Sequence, residues 1–382
     1  MMKSKKRVGI NAIVLNPQSG GLGVYLINLI DYLVHEDVGF EPVIFLSSQY
    51  KVPPNWLQSG LIRTLSVSSE QPINRILIEA FLWPKVIREH RIDLFHSPMS
   101  YIPFGVKVPA MVTIHDLRSF HDPKAYTWLR RQFLERMIGR SAEKALRILT
   151  ISEFTKQDII KTLGIAANRI RVIYEGLDRA RFQKSYAVEE RMALHRKYNL
   201  PAQYILTVGH LEPRKNYPRL LQAFHILRQR ENIEHGLVIV GRENWAFGDI
   251  YDTVERLKLS DAVRFTHFVD DKDLPALYQM ADVFVAPSLF EGFGFTPLES
   301  MAAGTPVAAA NAASLPEVCG NAAWYFDPHN TEEMAHAILG LISDRQKPKE
   351  WVRRGYENVK RFDWKHSGHQ TVKEYENLLA QL

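Results

Sequence analysis

The chain has 382 residues, long enough for two domains of roughly 150–200 residues each and too long for one typical domain. Hydrophobic residues make up 46% and charged residues 24%, the balance of a globular chain rather than a disordered or fibrous one. One cysteine, Cys319, excludes an intramolecular disulfide and a cysteine metal cluster and fits a cytoplasmic location, while a net charge of +6 leaves three anionic partners: nucleic acid, a membrane surface or a phosphorylated small ligand. Nucleic acid is the weakest, because the sequence has no zinc-finger spacing and no RNA-recognition signature.

The chain opens on a basic stretch, residues 1–7, followed by a short apolar run at 8–15. That run lacks a small-residue cleavage site and leads straight into glycines, so it reads as a first buried strand, at 8–13, and not as a signal peptide. No run approaches the roughly 18–20 apolar residues that span a bilayer. The glycines are Gly20-Gly21-Leu22-Gly23. Glycine lets backbone N–H groups approach a phosphate at a helix start; a tight strand–helix turn explains the same residues. The spacing is not G-x-G-x-x-G and no acidic residue follows at the ribose position, which disfavours a nicotinamide dinucleotide.

A helix is expected at 24–34, a strand at 42–46, a helix at 73–90 and strands at 93–96, 111–115, 148–151 and 171–174. His115-Asp116 ends one of these strands, where a histidine serves either chemistry or structure. Residues 126–147 mix Trp128, Leu129, Phe133, Leu134, Met137 and Ile138, at helical spacing, with Arg130, Arg131, Arg136, Arg140, Lys144 and Arg147. A core-facing helix with a solvated basic face is favoured there; the alternative is a membrane-surface or lipid-diphosphate site.

At 178–200 the pattern becomes charged and irregular, so the domain boundary is expected between 175 and 200. Alternation then restarts, with strands at 204–208, 237–240, 263–265, 283–286 and 306–309 and helices at 217–230, 274–280, 298–303 and 331–342. Strand–helix alternation predicts parallel sheets covered on both faces. Ligands of such units bind outside the carboxyl ends of the strands, so two facing units would hold an active site in the cleft and close over it.

Three groups in the second half carry chemistry. Gly209-His210-Leu211-Glu212-Pro213-Arg214-Lys215-Asn216 follows a strand and opens a helix. Arg214 would fork onto two phosphate oxygens and Lys215 act as a point charge; a solvated basic turn, with Asn216 as helix cap, is the plainer reading. In Glu291-Gly292-Phe293-Gly294-Phe295-Thr296-Pro297-Leu298-Glu299, two carboxylates flank a glycine-bearing loop before a helix expected to begin near Pro297. Thr296 and Glu299 fit a capping box, which accounts for Glu299 but not for Glu291. Asp271-Lys272-Asp273 has metal-binding Asp-x-Asp spacing, but Asp273 followed by Pro275 reads better as a helix cap. The 14 histidines show no zinc spacing, and no metal or cofactor is expected.

Glu-x7-Glu, the upstream Arg-Lys and the early Gly-Gly-x-Gly, in this order, resemble family 4 of the retaining GT-B glycosyltransferases. Ser152-Glu153-Phe154-Thr155, Ile173-Tyr174-Glu175-Gly176-Leu177-Asp178 and Ala302-Ala303-Gly304-Thr305-Pro306-Val307 add to the match, which spans nearly the whole chain. The resemblance implies an α/β fold of two facing Rossmann-like parallel-sheet domains with an interdomain cleft. It places an acceptor domain at 1–180, a nucleotide-sugar domain at 181–362, and a C-terminal helix at 363–382 packed back on the first domain.

It further implies that Arg214 and Lys215 grip the donor diphosphate and stabilise the leaving group. Glu299 would hold the ribose hydroxyls and Glu291 the transferred sugar. Amides around Phe293, Gly294, Phe295 and Thr296, with Gly209 in the turn, would line the donor site. Gly21 and Gly23 would reach the diphosphate from the other domain. The loop at His267, Phe268 and Val269 would hold the base, and His115 would lie near the donor sugar and the acceptor. Glu175 stands where the family often has asparagine, so a polar contact from that position is not carried over.

Transfer would be front-face, from a nucleoside diphosphate sugar as co-substrate to a saccharide or lipid-linked saccharide, with no side-chain nucleophile. UDP-glucose is the first expectation for the donor and GDP-mannose the second. A sugar-nucleotide 2-epimerase of the same fold and a catalytically idle nucleotide-binding partner subunit are the competing functions. A peripheral contact with the inner face of the membrane is the further partner that the basic helix suggests.

Overall fold

In the computed structural model, residues 5–16, 19–67, 72–244, 247–343 and 347–382 are described. Residues 1–4 of the basic N-terminal stretch lie outside them. The chain divides into two compact units, Met1–Gly176 with Asp363–Leu382, and Leu177–Phe362.

The first unit is built on β1 (Arg7–Asn11), β2 (Glu41–Ser47), β3 (Ile62–Leu65), β4 (Leu94–Ser97), β5 (Ala110–Ile114), β6 (Arg147–Thr150) and β7 (Ile170–Val172). They form one parallel sheet in the order β3-β2-β1-β4-β5-β6-β7. Runs such as Val43–Leu46 and Met111–Ile114 are buried without alternation because helices cover both faces of the sheet. The helix Trp364–Leu379 completes this unit. Gly368 meets the Tyr32 ring on the helix Gly20–His35, where a Cβ would lie 2.3 Å from Tyr32 Cγ. The Tyr375 hydroxyl lies 2.7 Å from His96 Nδ1 on β4, and Glu374 pairs with Arg171 Nε at 3.1 Å.

The second unit contains β8 (Tyr204–Val208), β9 (Gly236–Val240), β10 (Val263–His267), β11 (Val283–Ala286), β12 (Val307–Ala310) and β13 (Ala323–Phe326). Its sheet is parallel throughout, in the order β10-β9-β8-β11-β12-β13. Both sheets follow the doubly wound 3-2-1-4-5-6 order. The order reverses between β1 and β4 in one and between β8 and β11 in the other. Loops leaving those strands in opposite directions open a crevice at the carboxyl edge, where ligands of such sheets bind.

Most expected elements form within one or two residues of their expected ends, the usual scatter of helix and strand boundaries. Other assignments change: the helix expected at 24–34 already begins at Gly20, and the helices Glu153–Leu163 and Gly248–Arg256 were not expected. The charged stretch 178–200 carries two helices, Arg179–Phe182 and Val188–Lys197. The helix expected to start near Pro297 runs from Phe295 to Ala303. The edge strands β3 and β13 were not expected.

Candidate active site

The two strands flanking the switch point of the second sheet are β8 and β11. Arg214 and Lys215 lie in the turn after β8, and Glu291 in the loop after β11. The topology therefore brings together cations and an acid that are 76 residues apart. Lys215 Nζ donates to Glu291 Oε1 at 2.7 Å, and Arg214 Nη1 pairs with Glu291 Oε2 at 2.6 Å. Arg214 Nη1 also donates to the Phe290 carbonyl at 3.1 Å. Its Nε pairs with Glu212 Oε1 at 2.6 Å, and Glu212 takes a further bond from Asn244 Nδ2 at 3.3 Å. The guanidinium is thus held on two edges, and its plane is set by Glu212 behind it. A solvated basic turn is not what forms: the Lys215 side chain is only 9% exposed and Glu291 14%.

The electrostatics follow from this packing. Burial alone would raise the Glu291 carboxyl, but Arg214 and Lys215 outweigh it and hold it at about 2. Burial also pushes the Lys215 ammonium down, against the pull of Glu291. Two cations held close by one acid make a preformed anion site, since a diphosphate brings more negative charge than one carboxylate.

The turn is tight. A Cβ on Gly209 would fall 2.6 Å from Lys215 Cε, and one on Gly241 only 1.9 Å from the Gly209 carbonyl oxygen. Glycine at both positions lets the loops after β8 and β9 touch backbone to backbone and lays Lys215 across Gly209. Asn216 does not cap the following helix. It takes φ 58°, outside the extended region a cap requires, and its Nδ2 donates instead to the Pro287 and Pro328 carbonyls, at 3.1 and 2.8 Å. That bond ties the cationic turn to the loop after β11.

The loop from Glu291 is fixed by a residue the sequence did not mark. Ser314 Oγ is bonded to the Glu291 carbonyl at 2.9 Å and the Phe293 carbonyl at 2.7 Å. Phe293 is buried, with Phe295 and Phe362 around it at ring distances of 5.4 and 5.5 Å. Gly294 precedes the helix with φ 105°, a backbone angle that glycine tolerates. Phe295 and Thr296 then occupy the first helical positions, whose N–H groups have no acceptor within the helix. No capping box forms. No side chain caps this helix, and Glu299 Oε2 instead accepts from the Tyr278 hydroxyl at 2.8 Å. Burial raises the Glu299 carboxyl, opposed by Tyr278, Arg181 and, more weakly, Lys215.

Phe268 and Val269 follow β10 on the same carboxyl edge. Val269 is buried, whereas Phe268 is half exposed with the Arg242 guanidinium 4.3 Å from its ring centre. Asp273 stands just before the helix Leu274–Met280 but does not cap it with its side chain. Its carboxylate takes Lys197 Nζ at 2.7 Å and the Tyr198 hydroxyl at 2.8 Å. Among the described residues, no three His, Cys, Asp or Glu side chains are grouped to hold a metal.

The remaining expected residues lie in the first unit. Gly21 sits in the opening turn of the helix Gly20–His35, where amides lack helical acceptors. The Gly23 amide is already used inside the helix, donating to the Ser19 carbonyl at 3.2 Å, so it is not a phosphate donor here. A Cβ on Gly23 would lie 2.8 Å from that of Ser19, which explains the glycine by packing. His115 directly follows β5. Its Nε2 is 3.0 Å from the Pro98 carbonyl and its Nδ1 3.7 Å from Glu175 Oε1.

Both halves of the chain resemble known proteins. Residues 191–358 match the family described as Glycosyl transferases group 1, and residues 19–181 match Glycosyltransferase Family 4. The chain is 33% identical over 323 residues to the O-antigen chain mannosyltransferase B of Escherichia coli, covering 83% of each protein. It is 28% identical over 230 residues to the O-antigen chain mannosyltransferase RfbU of Salmonella typhimurium, covering 60% of each. The fold is shared with sucrose-phosphate synthase of Thermosynechococcus elongatus, with TM-score 0.77, 20% identity and coverage of 99% of this chain and 100% of that one. It is shared equally with HepE of Anabaena in complex with UDP, with TM-score 0.74, 20% identity and coverage of 97% and 100%. With two doubly wound parallel sheets, and a relative 33% identical over 83% of both proteins, the chain belongs to the family 4 glycosyltransferases of the GT-B fold.

Proposed function

We propose that the chain transfers mannose from GDP-mannose to a saccharide or lipid-linked saccharide during glycan assembly, with retention at the anomeric carbon and without a metal ion. The observation that carries this reading is the convergence of Arg214 and Lys215 on Glu291 at the switch point of the second sheet. Mannose is favoured over glucose because the relative 33% identical over 83% of both proteins is a mannosyltransferase. UDP-glucose therefore becomes the second donor.

In this mechanism the incoming diphosphate takes Arg214 and Lys215 over from Glu291. The released carboxylate turns to the hydroxyls of the transferred sugar. Glu299 accepts from the ribose hydroxyls, the Phe295 and Thr296 amides add donors, and the loop at Phe268 and Val269 holds the base. As the sugar–phosphate bond breaks, charge grows on the departing diphosphate, and the two fixed cations stabilise it more than they stabilise the ground state. The departing oxygen takes the acceptor proton, so no side-chain nucleophile is needed. Two cations supply the charge that a divalent ion would otherwise bring. His115 and the Gly21 amide take part in the transfer.

The test is turnover of GDP-mannose and UDP-glucose, with and without acceptor and with excess chelator, beside calorimetric binding of GDP and UDP. Chelator-resistant transfer from GDP-mannose is expected. Product formed without acceptor would indicate an epimerase, and nucleotide binding without turnover an idle partner subunit; either outcome sinks the reading.

A membrane-surface contact is favoured by one feature of the helix Trp128–Lys144. Its inner turn is buried through Met137, Ile138, Ser141 and Ala142, yet Trp128 and Leu129 are 70% and 73% exposed beside Arg130 and Arg131. No helix among the described residues is long and apolar enough to cross a membrane. Flotation with vesicles of anionic phospholipid is expected to carry the protein, and the W128A/L129A double variant is expected to stay behind.

A further inference from the structure

Glu175 is 2% exposed, and its Oε1 has no hydrogen-bond partner. A buried carboxylate oxygen without a donor is costly. It faces His115 Nδ1 at 3.7 Å, under about 1 Å beyond hydrogen-bond reach. The other ring nitrogen, Nε2, lies on the Pro98 carbonyl oxygen at 3.0 Å. A carbonyl only accepts, so Nε2 carries a proton. Nδ1 is therefore the nitrogen left to face Glu175. An unprotonated Nδ1 facing an ionised carboxylate would set a lone pair against the negative charge of a buried Glu175. One proton between them removes both penalties.

The surrounding groups offer no substitute. From β4, the buried His96 spends Nε2 on Thr113 Oγ1 at 2.8 Å and Nδ1 on the Tyr375 hydroxyl of the helix Trp364–Leu379 at 2.7 Å. Burial, and then the neighbouring His115, keep His96 neutral, at about 3. From the helix Gly20–His35, the Tyr25 ring stands edge-on to His115 at 5.1 Å and 82°, with its hydroxyl 3.3 Å from Thr113 Oγ1. Asp116, next along the chain, accepts from the Arg118 amide at 3.0 Å.

We propose that Glu175 is a positioning residue for the transfer reaction: it shares one proton with His115 Nδ1 and thereby fixes the plane and charge of the imidazole at the end of β5. The inference rests on the proposed role of His115 in transfer. Burial raises the Glu175 carboxyl, opposed by the hydrogen bond and charge of His115, a direction that favours a proton on the pair.

The test is long-range 1H–15N correlation of the imidazole nitrogens across pH, with the His115 signals identified by their loss in H115Q. In the wild-type chain Nδ1 should carry a proton signature at pH 7. In E175Q, where the amide can donate to Nδ1, that signature should move to the unprotonated position, with donor KM unchanged and kcat down about tenfold or more. E175D should restore part of the signature. A wild-type Nδ1 that is unprotonated at pH 7, or an E175Q spectrum and titration identical to wild type, overturns the proposal, and the first of these needs no variant to fold. Full turnover in H115Q overturns the assigned role of the histidine, and with it Glu175's part in the reaction, while the spectra still report whether the pair exists.

Discussion

Lys215 Nζ and Glu291 Oε1 lie 2.7 Å apart, in a turn and a loop leaving the two strands that flank the switch point of the second sheet. A buried ion pair is weak evidence for stability, since desolvation of both charges offsets their attraction. Its value here is chemical. On the proposed function, the carboxylate holds two cations where a diphosphate would need them, and the diphosphate would compete with it.

The first consequence concerns binding. Lys215→Ala removes one charge-assisted contact, worth roughly 1.5–3 kcal/mol. GDP affinity should fall by about 10- to 100-fold, at 1.4 kcal/mol for each factor of ten. Arg214→Lys keeps the charge but loses the fork held by Glu212 and Glu291, so it should fall in between. Titration calorimetry reads both, with a thermal melt as the folding control. Unchanged affinity in both variants would remove the diphosphate from this turn.

Glu291→Gln separates competition from catalysis. Without the carboxylate, both cations are free for the nucleotide, so GDP affinity should hold or rise by up to about tenfold. Turnover should drop about 10²-fold, because the contact to the transferred sugar is lost in the transition state. Parallel loss of GDP binding and turnover would mean that Glu291 merely holds the loop together.

The same residue predicts a pH dependence. Its folded carboxyl lies at about 2 against an ordinary 4.5. Between those values the unfolded chain takes up a proton that the folded chain refuses, so the contribution of Glu291 is present above pH 4.5 and lost as pH falls toward 2. Glu350 is held equally low by Arg353 and Arg354 and acts in the same window. The difference between wild type and E291Q isolates the buried residue. Urea melts across this range should show a steeper loss in wild type, and equal slopes would contradict the ion-pair geometry.

What the sequence revealed and what it withheld follow one division. The helices Tyr217–Arg230, Leu274–Met280 and Thr331–Ile342 were readable to the residue because each has an apolar stripe and a start fixed by proline or a polar cap. Val188–Lys197 was not. None of its residues is buried, so it has no stripe. It rests on Glu190 accepting from the Ala187 amide, with acids in its first turn and bases in its last. β3 and β13 are four-residue edge strands with half-exposed positions, too short to show a period. At the site, the residue types were legible as motifs, but their pairing was not. Glu291 with Lys215, Glu212 behind Arg214, Tyr278 on Glu299 and Glu175 beside His115 arise from strand order or from a fold of the turn. Asn216 and Asp273 were misread as caps because composition suggests a cap and only backbone angles decide it.

The glycines of the cationic turn give the last test, because two similar substitutions should fail differently. A Cβ on Gly241 would lie 1.9 Å from the Gly209 carbonyl oxygen and 2.6 Å from its carbon, both backbone atoms fixed by β8 and β9. Nothing there can step aside, so Gly241→Ala should cost stability by about 3 kcal/mol or more. A Cβ on Gly209 meets Lys215 at Cε, 2.6 Å away, and at Nζ, 2.9 Å away, the far end of a flexible side chain. Both glycines have a positive φ, 154° at Gly209 and 157° at Gly241, which strains an alanine at either position, so the difference lies in the neighbour: Lys215 can swing off Glu291 to make room. Gly209→Ala should therefore melt closer to wild type than Gly241→Ala while binding GDP more weakly, by an amount approaching that of Lys215→Ala. A Gly209→Ala protein that binds GDP normally would show that the position of Lys215 over this glycine is not the one that grips the diphosphate.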